Sequence, residues 1–163
     1  MALEITSSAF GNGEMIPMKY TCDGDNMSVP LQWSGLPKGT KALALIMDDP
    51  DTPKGTFVHW VVYNIPVEVA GFAENIESYP KGVLVGQNSQ GENGYKGPCP
   101  PDKKHRYFFK LYALDRRLEL KEGATKEDVV TAMKDRVLGQ AELMGEYDRP
   151  GKEAKKVSSD KKK

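Results

Sequence analysis

Cysteine, histidine and tryptophan are the scarce residues of this chain, with two of each in 163 positions. Cys22 and Cys99 lie too far apart in sequence to form a C-x-x-C pair, so no local metal or redox motif exists. No H-x-x-x-H or Cys–His spacing pre-places two metal ligands, and no G-x-S-x-G elbow offers a hydrolytic serine. An excess of one charge is also lacking. The 23 Lys and Arg balance 23 Asp and Glu, which argues against an electrostatic nucleic-acid binder, with its usual basic face or high pI. No stretch approaches the roughly 18 apolar residues of a membrane helix, so no integral membrane segment is expected. The start, MALEITSSAF, has neither the basic residues nor the apolar run of a secretory signal. A cytoplasmic location is expected from this. Reduced thiols are expected with it, although the two cysteines could pair in principle.

What is present describes a soluble globular chain, with 39% hydrophobic and 28% charged residues. Residues 1–150 suit a single domain with one core. The remainder, GKEAKKVSSDKKK (151–163), holds six lysines against Glu153 and Asp160, a net +4 that leaves −4 on residues 1–150. That segment has almost nothing apolar to bury and is expected to be a solvated, flexible tail.

Glycines and prolines cut the first 115 residues into short segments. KALALIMDD (41–49) is a continuous apolar run of strand length, as in a strand buried on both faces. TFVHWVVYNIP (56–66) and HRYFFKLYALD (105–115) are rich in β-branched and aromatic residues. KGVLVGQN (81–88), IPMKY (16–20) and LQWSGLP (31–37) read as further strands. Thr125 can cap a helix with Glu127 and Asp128 in its first turn. Val129, Val130, Met133, Val137, Leu138, Ala141 and Met144 then follow helical spacing, with Gly139 weakening the middle so that two shorter helices would also fit. The fold class expected is mainly β: an antiparallel β-sandwich with one or two peripheral C-terminal helices.

Two polar segments interrupt this pattern. In DDPDTPKGTFVHW (48–60), Pro50 and Pro53 cannot donate to a ladder, so Asp49 is held at the end of a buried strand. Asp51 followed by Thr52 is an ordinary turn-stabilising pair. Along the next strand, His59 should share a face with Phe57 and Val61, with Trp60 and Val62 opposite. In KGPCPPDKKHRY (96–107), prolines stiffen the chain just before His105 and Tyr107, which share a face opposite Arg106. Prolines leave little loop entropy to lose on binding, so a site beside them is largely preorganised. Two imidazoles and a phenol offer donors, and a carboxylate such as Asp49 can orient one ring. Backbone N–H groups around Gly97 could add donors. The set suits a small anion: phosphate, sulfate or a carboxylate. Taken alone, two strand histidines are as often satisfied structural residues as ligands. A metal site from His59, His105 and Asp49 is conceivable, since imidazole with carboxylate suits several divalent ions; no metal or cofactor is expected.

Both segments resemble the signature regions of the phosphatidylethanolamine-binding protein family, most closely its bacterial and archaeal Raf kinase inhibitor-like (YbhB/YbcL) branch. SVPLQWSGLP (28–37), IPMKYTCDGDN (16–26) and AELMGEYDR (141–149) match that branch too. The resemblance implies two antiparallel sheets forming a sandwich, helical pieces near the C-terminus and a small anion pocket at the surface. Carried across by position, it implies that Asp49, His59, Pro101, His105 and Tyr107 form the pocket. Asp51 would support the loops, and Gly97 and Pro98 the wall, while Trp33, Phe57 and Trp60 would be packing residues. The loop between D-P-D and H-W is short, and a lysine-rich tail stands where the animal proteins have a helix near the pocket. Raf-type kinase regulation and a phospholipid-sized ligand are therefore not carried over.

Three functions are expected candidates. The first is a non-catalytic protein binding a small phosphate-like or carboxylate anion, more tightly when histidine is protonated below about pH 6.5. The second is a protein-interaction inhibitor or modulator of a protease or kinase. The third is a hydrolase with Asp49 and His59 as acid and base. The branch also implies a homodimer.

Overall fold

The apolar run at 41–49 forms the middle of the larger sheet. In the computed structural model, which describes residues 2–149, it becomes strand β4 (Ala42–Thr52), flanked by β5 (Gly55–Ile65) and β8 (His105–Leu114), both antiparallel to it. Successive side chains of a strand point to opposite faces, so a central strand covered on both sides must be apolar at every position. Leu43, Leu45 and Met47 enter one cluster of buried residues, and Ala44 and Ile46 another.

The first cluster lies between two sheets. The smaller sheet runs β1 (Glu4–Thr6), β3 (Leu31–Ser34), β6 (Gly71–Phe72), all antiparallel. The larger runs β2 (Glu14–Met15), β9 (Val137–Tyr147), β8, β4, β5, β7 (Leu84–Val85), antiparallel except for the short β2–β9 pair. Ile5, Trp33 and Phe72 of the small sheet meet Leu45, Trp60, Phe109 and Leu111 of the large one. The second cluster covers the other face of the large sheet, where helix α1 (Lys126–Met133) packs Val129 and Met133 with Ile46, Val61 and Tyr63. This is the expected mainly-β sandwich with a peripheral helix.

The helix starts where its cap predicts. The Thr125 hydroxyl accepts from the Asp128 N–H (3.2 Å) and the Asp128 carboxylate accepts from the Thr125 N–H (3.1 Å), a closed capping box. It does not continue as expected. Asp135 takes a left-handed φ of 67°, and residues 137–147 form β9, not helix. Val137, Ala141 and Met144 fit a helical period, but Ala141, Leu143, Gly145 and Tyr147 also alternate at strand spacing. The free edge of β8 decides between the two, because ten β8 positions find partners along β9. Gly145 belongs to that register: a Cβ there would lie 2.6 Å from Ile16 Cγ1 and 2.7 Å from Phe10 Cε2.

Two further expectations need correction. Residues 16–20 are not a strand; they hold a 3-10 turn, Met18–Tyr20, after the short β2. In 81–88 only Leu84 and Val85 form a strand, and Gln87 makes an isolated bridge to Asn93. The lysine-rich segment 151–163 lies outside the described residues.

Candidate functional site

The β4–β5 ladder is irregular at the point where the sequence becomes polar. Its register shifts between Met47 and Asp48, which pair with Trp60 and Val58, so His59 is the extra residue of a β-bulge. The bulge corrects one part of the expected face assignment, since Phe57 stays with His59 but Val61 does not. Phe57 and His59 line a cavity, Trp60 and Val62 join the core between the sheets, and Val61 turns with Val58 to the helix side. A regular strand would have placed Trp60 opposite His59. A second shift between Asp49 and Thr52, spanning Pro50, ends the ladder beside Asp49 as the missing donor requires.

The cavity has a volume of about 440 Å³ and lies where the ends of β4, β5 and β8 meet the 96–101 segment. Asp49, His59, Pro101, His105, Tyr107 and Gly97, all singled out from sequence, line it. Pro98 does not line it; it is buried behind, and its carbonyl accepts from the Cys22 N–H at 3.1 Å. Asp51 does not line it either. Its carboxylate accepts from the Arg106 backbone N–H, Nε and Nη2 at 2.9, 2.9 and 2.8 Å, which ties the end of β4 to the start of β8. This contact holds the Asp51 carboxyl down at about 2. Trp33 and Trp60 are buried core, but Phe57 lines the pocket, its ring 4.7 Å from that of His59.

His105 is fully buried, and both of its ring nitrogens face carboxylates. Nδ1 lies 2.7 Å from Asp49 Oδ2, and Nε2 lies 2.7 Å from Asp102 Oδ1. Two such contacts need two shared protons, which leaves the trio with one net negative charge. The other Asp49 oxygen accepts from the Asp51 N–H at 2.8 Å. Burial pushes the Asp49 carboxyl up, against the opposing pull of that N–H and of His105. Asp102 was not singled out from sequence. Its only signal was a spacing of three residues before His105, which carries no meaning until the turn before β8 is known.

His59 is held differently. Its Nδ1 lies 2.5 Å from the Lys96 carbonyl, and its own carbonyl accepts from the Lys96 N–H at 2.9 Å. A carbonyl only accepts, so Nδ1 carries the proton, and Nε2 of the neutral ring is a bare acceptor. Burial lowers the His59 pKa to about 4, and the ring is therefore neutral over the range in which protonation was expected to aid anion binding. Asp49 and His59, the pair of the hydrolase reading, are bonded to other partners and not to each other. Among the described residues, no three His, Cys, Asp or Glu side chains are arranged to hold a metal ion.

Tyr107 completes the pocket. Its ring stands 5.2 Å from that of His59, and its hydroxyl is buried beside the Cys99 main chain without completing a hydrogen bond of normal geometry. Burial, followed by the negative Asp49 and Asp51, pushes its pKa far up, so it stays a phenol. The Gly97 N–H is not the free donor expected, since it donates to Asn26 Oδ1 at 2.9 Å. Gly97 is required for another reason: a Cβ there would stand 2.2 Å from that Oδ1 and 2.5 Å from the Tyr20 carbonyl.

The expectation of reduced thiols is overturned. Cys22 and Cys99, 77 residues apart, form a disulfide with a Cα–Cα distance of 5.4 Å. The turn after Tyr20 and the proline wall are already joined by the Cys22–Pro98 and Gly97–Asn26 hydrogen bonds, which place the thiols within bridging distance. Cys99 itself lines the pocket.

Comparison with known proteins agrees with this fold. Residues 6–148 match the family model for the phosphatidylethanolamine-binding protein. A UPF0098 protein of Methanothermobacter thermautotrophicus is 50% identical over 150 residues, covering 90% of this chain and 99% of its own. A UPF0098 protein of Aquifex aeolicus is 47% identical, covering 90% and 89%. Among solved structures, the putative phosphatidylethanolamine-binding protein homologue CT736 of Chlamydia trachomatis superposes with a TM-score of 0.86 at 44% identity, covering 91% of this chain and 98% of that one. Escherichia coli YbcL, described as a member of the mammalian family, superposes at 0.85 with 31% identity, covering 91% and 99%. The chain belongs to the phosphatidylethanolamine-binding protein family.

Proposed function

We propose that the protein is a non-catalytic binding module whose pocket holds a small phosphate-like oxyanion. The observation that carries this reading is a preformed cavity lined by the buried Tyr107 hydroxyl, which has no hydrogen-bond partner of normal geometry among the described residues. His59 lines it too, with Nδ1 committed to the Lys96 carbonyl so that Nε2 is left as an acceptor. A buried hydroxyl without a partner costs about 1–3 kcal/mol, a cost that a ligand accepting from it would remove. Pro53, Pro100 and Pro101 keep the walls from having to order on binding. Lys54 and Lys96 line the same cavity and supply the positive charge an anion needs nearby. Membership in a family described by phosphatidylethanolamine binding supports the same ligand chemistry.

Isothermal titration with inorganic phosphate and with phosphoethanolamine tests the reading. Wild type should give saturable heats, and Tyr107→Phe should bind roughly tenfold more weakly, the effect of one lost hydrogen bond to a charged group. Because Tyr107→Phe removes an unpaired buried hydroxyl, its stability should be equal to wild type or higher. Equal affinity in the two proteins would refute the reading.

A further inference from the structure

The pocket is unusual for an anion site in being rich in acceptors. His59 presents Nε2 as an acceptor because its Nδ1–H is committed to the Lys96 carbonyl. Neither nitrogen of His105 is free, since Asp49 and Asp102 take both, and the trio adds negative charge to the same wall. The Gly97 N–H is taken by Asn26. The remaining side-chain donors on the lining residues are the Tyr107 hydroxyl, the Gln90 amide and the side chains of Lys54 and Lys96, since the Thr52 hydroxyl donates to the Gly55 carbonyl. A fully ionised oxyanion offers only acceptors, so on Nε2 it would set lone pair against lone pair.

We propose that the pocket selects an oxyanion that still carries a proton, a phosphate monoester in its singly ionised form, and that His59 Nε2 makes the choice by accepting the ligand's O–H. This inference rests on the binding function proposed above and goes beyond it by naming the protonation state the site recognises. His59 is the specificity-determining residue, and the Lys96 carbonyl is its positioning partner, fixing the tautomer through a 2.5 Å contact. The groups facing the ring are consistent with this role. From β8 come His105 and the un-ionised Tyr107; from β4, Asp49 beyond His105, with Asp48 acting only through space because its carboxylate is paired with Lys110 and Lys126; from the proline wall, Lys96. Their pulls on the ring oppose one another, and burial, the largest influence, keeps it neutral. The proton it needs must therefore come with the ligand.

Three monoanionic probes separate the possibilities: methyl phosphate, methyl sulfate and dimethyl phosphate. At pH 5 each carries one negative charge, but only methyl phosphate bears an O–H. Methyl phosphate loses that proton near pH 6, as phosphate monoesters do. Wild type should bind it at least about tenfold more tightly than the other two at pH 5, the effect of one hydrogen bond to a charged ligand. Its affinity should fall about tenfold or more between pH 5 and pH 8. Methyl sulfate keeps its charge throughout, so its profile reports any titration of the protein itself and is subtracted. His59→Gln, whose amide can turn a donor toward the ligand, should level the three probes. Equal binding of all three to wild type overturns the inference while the binding function stands, as does tighter binding of methyl phosphate at pH 8. Failure of all three to bind at any pH overturns both.

Discussion

His105 Nδ1 sits 2.7 Å from Asp49 Oδ2, with the two side chains 0% and 2% exposed. The pair joins the polar end of β4 to the first residue of β8, so the fold places a shared proton where the large sheet opens into the pocket. The same residues that shape the site therefore help to hold the sheet's end closed.

Substitution of Asp49 should separate these roles. Asp49→Ala strands a buried imidazole and should cost about 3–5 kcal/mol in urea unfolding, the usual result of removing one partner of a buried pair. Asp49→Asn keeps its oxygen as acceptor for the Asp51 N–H and turns an NH2 donor toward His105 Nδ1, which the ring can meet by carrying its proton on Nε2, so it should cost only about 1 kcal/mol. Equal costs for the two variants would show that volume, not the hydrogen-bonded pair, is what β4 needs there.

The disulfide links residues 77 apart and crosses from the turn after Tyr20 to the pocket wall. Closing a loop of that length restricts the unfolded chain and should stabilise the fold by about 4–5 kcal/mol. Urea titrations with and without dithiothreitol, and of Cys99→Ser, measure it. Reduction should also weaken phosphate binding, because Cys99 lines the cavity. Coincident unfolding midpoints would mean that the Cys22–Pro98 and Gly97–Asn26 hydrogen bonds already hold the two segments.

His59 should leave a mark on the pH dependence of stability. Its folded pKa of about 4 lies below its ordinary value of 6.5. Between those values the unfolded chain binds the extra proton and the native chain does not, so stability rises with pH through this window. The contribution is full above about pH 6.5 and is lost as pH falls toward 4. The loss should reach about 3 kcal/mol at the acid end. The slope of unfolding free energy against pH in this window should be shallower in His59→Gln than in wild type. Parallel curves would mean that the native ring titrates normally, and its role as a bare acceptor would fall with that.

Much of the sheet was legible because local chemistry leaves one choice. An uninterrupted apolar run of strand length at 41–49 can be satisfied only by burial on both faces, and it became β4. The aromatic 105–115 became β8, and Thr125 with Asp128 closed a capping box wherever α1 was to pack. Residues 137–147 were ambiguous because their apolar positions fit two periods. Sequence within the segment does not reveal that β8 has an open edge requiring a partner.

At the pocket, sequence and resemblance named Asp49, His59, Pro101, His105 and Tyr107, and the identity of those groups needs nothing more than the chain. Which atoms remain free to meet a ligand is a different kind of fact. The bulge at His59, the Lys96 carbonyl 37 residues away that fixes its tautomer, the Asp102 contact that occupies His105, and the bridge from Cys22 to Cys99 are all meetings between distant segments. A hydrogen bond or disulfide falls off within an ångström or so of its ideal distance. Such contacts are set by where strands, turns and walls come to rest, and composition and local spacing carry no record of those positions.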